Sequence, residues 1–463
     1  MKLPQVRLYN TFSRTKEDLH PLQEGTVRLY SCGPTVYRYV HVGNLRTFML
    51  PDLLRRGLEY LGYKTEQVMN ITDVGHLTDD SFDRGEDKML VAARLESKST
   101  EEVAAHYTDA FLEDIHKLNI RPAEHYPRAT QYVPRMLELI EKLIEAGHAY
   151  EIDGTVYYDI ATFPAYGKLS GNSVEKLMAG HRGEPDPLKR HPGDFTLWRA
   201  AGQKRLQTWP SPWGWGYPGW HIECSAMSMS ILGERFDVHT GGADNVFPHH
   251  EAEIAQSEAV TAHRVVSIWM HGGLLMLSGT RMAKSAGNFL RISELEEQGF
   301  DPLAFRYLAL QAKYRTSLNF TTEAVAGADR ALRQLRERVA AWASQPDGDV
   351  APVREAWDLR FKAAISDDLD LPAAMALVAE LGRSSVAPKT RAELLDSWDQ
   401  VLGLDLHRSA VQRALPPGAA ELLAERERAR AAKNFKKSDE LRERLAAMGV
   451  TVADTTQGQR IKK

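Results

Sequence analysis

Apolar positions recur at helical intervals through HVGNLRTFMLPDLLRRGLEYLGY, where Leu45, Phe48, Met49, Leu53, Leu54, Leu58 and Leu61 line one face. Gly62 supplies a stop, and Pro51 predicts either a kink or a helix start at that point. The flanking stretches, residues 26–32 (TVRLYSC) and 64–73 (KTEQVMNITD), read as strands. Strand, helix, strand with glycines at the first turn is a nucleotide-binding βαβ unit. A second apolar alternation, Phe236 and Val238, predicts a strand that runs into Gly241-Gly242, a turn open to close backbone approach. A helix then opens at Pro248, whose missing N–H is harmless at a first helical position. His249 and Glu253 stand four apart on that helix, so an imidazole and a carboxylate converge.

Only two cysteines accompany this pair, Cys32 in LYSCGPTVY and Cys224 in PGWHIECSAM. So few cysteines argue against a disulfide framework and for a reducing compartment. Cys32 closes a strand and Cys224 opens a helix, both places where an α/β sheet presents ligands at its carboxyl edge. The candidate metal set is Cys32, Cys224, His249 and Glu253. Spacing alone leaves open two buried free thiols and an ordinary helix-surface His–Glu pair.

Composition narrows the class. Hydrophobic content of 43% and charged content of 26% are those of a globular chain, and 463 residues predict about three domains. The net charge of −4 gives no global nucleic-acid signal, so polyanion binding must be local. No apolar core opens the N-terminus and no run approaches the ~20 apolar residues of a membrane span, so a cytoplasmic protein is expected, with no membrane partner.

The remaining stretches divide the chain. Residues 81–119 are helix-rich, and residues 132–146 form an amphipathic helix. The charged, turn-laden SGNSVEKLMAGHRGEPDPLKRHPGD that follows suits an inserted subdomain. Arg281 and Lys284 lie between Gly279 and Gly287, and two cations on such a loop suit a mobile polyphosphate clamp. An ordinary basic loop is the alternative. Beyond Thr322 the pattern is helical, with QPDGDVAP and ALPPGAA as linkers. The tail from Gly418 holds eleven Lys/Arg against seven Asp/Glu, with Phe435 among Arg430, Lys433, Lys436 and Lys437, a modest nucleic-acid signal.

Taken in order, CGPTVY, HVGN, NITD, WPSPWG, GWHIECSAM, GGADN, FPHHEAEIAQSE and RMAKS resemble the cysteinyl-tRNA synthetases from end to end. HVGN matches the HIGH-type element with Asn44 in the fourth place. RMAKS matches the KMSKS element with Arg281 for the first lysine. The resemblance implies an α/β fold: a Rossmann-type class I synthetase catalytic domain (1–122 and 211–265) split by an inserted connective subdomain (123–210). A stem-contact segment (266–321), an α-helical bundle (322–408) and a small C-terminal anticodon-binding domain (409–463) complete it.

The implied reaction joins L-cysteine to ATP and then to the 3′ adenosine of tRNA(Cys). His41, Lys284 and Arg281 are the implied catalytic residues, with Gly43, Asn44, Asp244 and Lys284 on ATP. Zn²⁺, one per subunit, selects the substrate thiol, and Mg²⁺ accompanies ATP. Thr72, Trp220 and His239 are implied around the cysteine, the last beside Asp244 at a turn. Arg430, Phe435, Asp439 and Asp454 are implied on anticodon bases, in a chain expected to be a monomer. Two rivals are weighed. A zinc-dependent cysteine ligase of the mycothiol pathway would act on a sugar amine, but that family stops near VLGLDL and lacks the counterpart of Glu253. An inactive RNA-binding relative would not need His41, Lys284 and the metal set.

Overall fold

A computed structural model describes residues 3–79, 84–172, 187–201, 205–277, 279–281, 289–346, 351–408, 418–432, 434–447, 451–455 and 458–462. The βαβ unit forms as the periodicity dictates. β1 (Thr26–Ser31) leads to α1 (Val42–Tyr60), which returns the chain to β2 (Lys64–Met69). All seven apolar positions of the α1 face are buried. The helix continues through Pro51 and neither starts nor ends there. Its start is set by a cap at His41, and buried Leu50, Leu53 and Leu54 hold the segment around the proline despite the lost ladder bond.

β3 (Phe236–Gly242) and β4 (Val266–Gly272) complete a four-stranded sheet in the order β4-β3-β1-β2, every pair parallel. All seven residues of β3 are buried, as expected of a parallel strand covered on both faces. The connection from β1 goes to one neighbour, β2, while β3 lies on its other side. That reversal opens a crevice at the carboxyl ends of β1 and β3, where such sheets bind ligands.

α2 (Trp220–Leu232) precedes β3 and α3 (Glu251–Thr261) follows it. Between β2 and α2 the chain forms the helix Val133–Glu145 and an antiparallel sheet in the order Gly216–Pro218, Phe195–Ala200, Thr155–Tyr158, Ala149–Ile152. These elements share one apolar core with α2 and α3. A second core joins α1 to four helices further on, Thr322–Ala343, Ala351–Ser366, Leu371–Arg383 and Pro388–Leu402. It surrounds a fully buried guanidinium, Arg306, which donates to Asp52 Oδ2 on α1 at 2.7 Å and to the Leu402 carbonyl at 2.6 Å. Arg56 also holds Asp52. Burial opposes the charge, yet Arg306 and Arg56 keep the Asp52 carboxyl below its usual range.

Residues 408–463 form a separate compact unit. Its helices, Ala419–Ala431 and Phe435–Ala447, are followed by the hairpin Thr451–Thr455 and Gly458–Lys462, around Ala419, Leu423, Leu445 and Val452. Among the described residues no helix is long and apolar enough to cross a membrane.

Candidate active site

At the amino end of α1, His41 is the N-cap, with extended backbone (φ −112°, ψ 166°). Its Nδ1 accepts from Asn44 N at 3.1 Å, and His41 N donates to Asn44 Oδ1 at 3.2 Å. The fourth residue of HVGN therefore closes a reciprocal capping box. An imidazole whose Nδ1 accepts carries its proton on Nε2. Phe289 meets the ring edge-on at 5.3 Å. Gly43 lies half-buried between the two capping residues, and Asp244 is exposed in the turn after β3. Arg281 ends the short strand Thr280–Arg281. Its side chain, and all of Lys284, lie outside the described residues.

At the carboxyl edge, the Cys32 amide donates to Thr240 O of β3 at 3.0 Å, which pins the residue after β1 to the neighbouring strand. Phe247 is extended (φ −141°, ψ 135°), and the regular helix α3 begins only at Glu251. The helix expected to open at Pro248 is therefore irregular in its first turn. His249 Nε2 nevertheless lies 3.2 Å from Glu253 Oε1. Donor atoms of Cys32, His249, His250 and Glu253 all lie within 4.8 Å of one another, and all four residues are buried. Cys224 sits one turn into α2, which opens at Trp220 rather than at the cysteine. Its thiol is buried and is not among those four clustered donors.

Neighbouring rings and hydroxyls fix this group. His239 lies inside β3, not at the turn, and its Nε2 is 2.9 Å from Glu253 Oε2. His221 Nδ1 meets His249 Nδ1 at 2.9 Å, and the Trp220 ring lies 4.4 Å from that of His249. From Cys32 Sγ a chain runs to His250 Nε2 at 3.1 Å, from His250 Nδ1 to His271 Nε2 at 2.7 Å, and from His271 Nδ1 to Thr11 Oγ1 at 2.8 Å. Gly241 makes room for it: a Cβ there would stand 2.5 Å from His250 Cε1.

Burial keeps the thiols and rings of this group uncharged. Burial pushes the Cys32 thiol up, and burial followed by the neighbouring Cys32 pushes Cys224 well up. Burial pushes His249 and His250 well down, so both rings are neutral ligands in waiting. Glu253 Oε1 is buried and accepts no hydrogen bond, although thiol and imidazole atoms surround it. A buried polar atom without a partner is costly, and a metal ion among these donors would satisfy it. The residues fit a metal.

Two family models match the sequence. One, described as the class I (C) catalytic domain of tRNA synthetases, spans residues 18–330; the other, a cysteinyl-tRNA ligase anticodon binding domain, spans 412–461. A cysteine–tRNA ligase of Burkholderia lata is 44% identical over 98% of this chain and 96% of its own length. This chain belongs to the cysteinyl-tRNA synthetase family. A Thermus thermophilus cysteine–tRNA ligase is likewise 44% identical, over 98% of both chains. In fold, the chain resembles a Mycobacterium tuberculosis methionyl-tRNA synthetase solved with methionyl-adenylate, with a TM-score of 0.56 at 15% identity over 86% of this chain and 92% of that one. A LeuRS of Agrobacterium radiobacter gives 0.57 at 11% identity over 83% and 84%. The match at 412–461 also disfavours the sugar-amine ligase, which the resemblance ends before that region.

For a cysteinyl-tRNA synthetase, three residues near the site escape a motif-based reading. His250 follows His249 directly, and HH gives no sign of which ring meets the thiol. His271 closes a strand twenty-two residues after His249, where it reads as core. Glu223, beside Cys224 in HIEC, is fully buried and holds Thr72 Oγ1 at 2.9 Å and His76 Nε2 at 2.6 Å. Adjacency to the cysteine was the one available signal. In the C-terminal unit Phe435 and Asp439 are exposed, Asp439 paired with Arg442 at 3.2 Å, and Arg430 is half-buried. The side chain of Asp454 lies outside the described residues.

Proposed function

We propose that this chain activates cysteine with ATP and transfers it to tRNA(Cys), the cysteine–tRNA ligase reaction. One observation carries the reading: the buried donors Cys32, His249, His250 and Glu253 sit at the sheet's switch point. We read the metal as zinc, held by Cys32, Cys224, His249 and Glu253, a sulfur, nitrogen and oxygen set that suits it. Bound there, zinc supplies a Lewis acid that takes the substrate sulfur as thiolate and leaves a serine hydroxyl protonated. That preference answers the difficulty that an apolar pocket alone discriminates poorly between near-isosteres.

The chain's own groups do the rest by position and charge. His41 Nε2–H and the Gly43 N–H in the first turn of α1 meet phosphate oxygens of ATP. Arg281 and Lys284 close over the triphosphate, which enters with Mg²⁺, while Gly43, Asn44 and Asp244 border the nucleotide. Thr72, Trp220 and His239 shape the cysteine pocket. The cysteine carboxylate attacks the α-phosphorus and pyrophosphate leaves; a ribose hydroxyl of the 3′ adenosine then takes the acyl group and AMP leaves. Catalytic halves at 1–122 and 211–265 flank the insertion at 123–210, with the stem contact at 266–321 and the bundle at 322–408. The unit from 409 reads the anticodon through Arg430, Phe435, Asp439 and Asp454, in a cytoplasmic monomer.

Zinc analysis, cysteine-dependent ATP–pyrophosphate exchange and charging of tRNA with a GCA anticodon test this together. About one zinc per chain with both activities is expected. Exchange without charging would instead leave a small-molecule cysteine ligase, and absence of exchange would sink the reading.

A further inference from the structure

The hydrogen bonds around Thr72 run in one direction only. Gly33 N can only donate, and it donates to Asn70 Oδ1 at 2.8 Å, which fixes the amide's orientation. Asn70 Nδ2 therefore donates to Thr72 Oγ1, at 3.0 Å. With that bond accepted, the single hydroxyl proton of Thr72 goes to Glu223 Oε2 at 2.9 Å. The other carboxylate oxygen is held by His76 Nε2 at 2.6 Å. No side chain fits at Gly33, because a Cβ there would stand 1.7 Å from the Asn70 carbonyl oxygen. Thr72 keeps one lone pair and has no proton left to give.

Its place gives that lone pair a use. Thr72 N donates to Pro34 O at 3.0 Å and Thr72 O accepts from Val36 N at 3.1 Å, so Thr72 is zipped to the loop just after Cys32. Its hydroxyl reaches the first turn of α2, between Trp220 and Cys224. An amino acid whose sulfur is anchored at the thiols carries its ammonium three bonds away, within reach of this turn. We propose that Glu223 is a positioning residue that makes Thr72 a pure acceptor for the α-ammonium of the substrate. This rests on the cysteine-activating reading, which it deepens by separating what recognises the amine from what recognises the sulfur.

Direct binding of two thiols to the zinc-loaded full chain tests it: cysteamine, with an ammonium and no carboxylate, and 3-mercaptopropionate, with a carboxylate and no ammonium. Glu223→Ala is expected to weaken cysteamine by ~10-fold or more, the usual effect of a hydrogen bond to a charged group, and to leave 3-mercaptopropionate within about twofold. In pyrophosphate exchange KM for cysteine rises while KM for ATP holds. Glu223→Gln, which still accepts from Thr72, restores most of the cysteamine affinity. Thr72→Val reproduces the selective loss and Thr72→Ser does not, so the test survives if Glu223→Ala fails to fold. Equal loss of both thiols, or loss of neither, overturns the proposal. A wild-type chain that binds neither thiol overturns the cysteine-activating reading with it.

Discussion

The floor and the rim of the site are built on opposite plans. The floor is dry: Cys32, His249, His250 and Glu253 are buried, and each is steered by a neighbour on another element. The rim at α1 is wet and local, because Asn44 is exposed and orients His41 over a single helical turn. A buried donor set tolerates little displacement, whereas a helix-terminus phosphate site needs mainly N–H groups and mobile cations. The contrast implies that floor variants change what binds and rim variants change how fast it reacts.

The largest expected effect belongs to Lys284 of the RMAKS stretch. Lys284→Ala is expected to lower cysteine-dependent pyrophosphate exchange by about 10²–10³-fold, as for other lost transition-state donors, with zinc retained. An unchanged rate would remove Lys284 from the reaction. On the floor, His271→Ala removes the partner that orients His250 behind Cys32, and is expected to weaken zinc by roughly 10–100-fold in a chelator competition. Zinc affinity unchanged in that variant would show that the His250–His271 chain does not support the site.

Acid should also separate the two regions. His249, His250 and His271 are held neutral by burial, His271 down to about 3 against an ordinary value of 6.5. The unfolded chain takes up those protons first. The metal-free protein therefore keeps this stability above pH 6.5 and loses it as pH falls toward about 3, by about 1.4 kcal/mol per unit for each histidine. Denaturant melts at stepped pH read the slope, and His271→Gln should make it shallower. The smallest effect belongs to Asn44→Ala, which opens half of the capping box for ~1 kcal/mol of stability. Nitrogen-15 spectra of the His41 ring should keep the Nε2–H tautomer, because the residue-44 amide that meets Nδ1 is retained; loss of that tautomer would show that the side-chain half of the box also sets the ring.

Much of this was legible in the sequence for physical reasons. The α1 face was fixed by a repeat of seven apolar residues, all of them buried. Spacing alone left Cys32, His249 and Glu253 open to an ordinary reading as a buried thiol and a helix-surface pair, and the ordered motifs singled them out; the structure brings their donor atoms together. What stayed hidden depends on three dimensions. A doublet of histidines does not say which ring turns inward, and Glu223 looks like any helix carboxylate until Thr72 and His76 close on it. Pro51 left a kink or a helix start open; the helix runs through it, which removes the start, because the packing that offsets the proline is tertiary.

Arg306 bears on how this protein can be cut. Its guanidinium joins Asp52 of α1 to the carbonyl ends of Leu118 and Leu402, segments that sequence boundaries assign to different domains. A fragment ending before the helix Pro302–Leu310 would leave Asp52 with Arg56 as its remaining guanidinium and would lose the group that ties α1 to the Leu118 and Leu402 carbonyls. The nucleotide-binding half and the helical bundle are thus separable names for one cooperative folding unit, and a minimal cysteine-activating fragment has to run through Leu402.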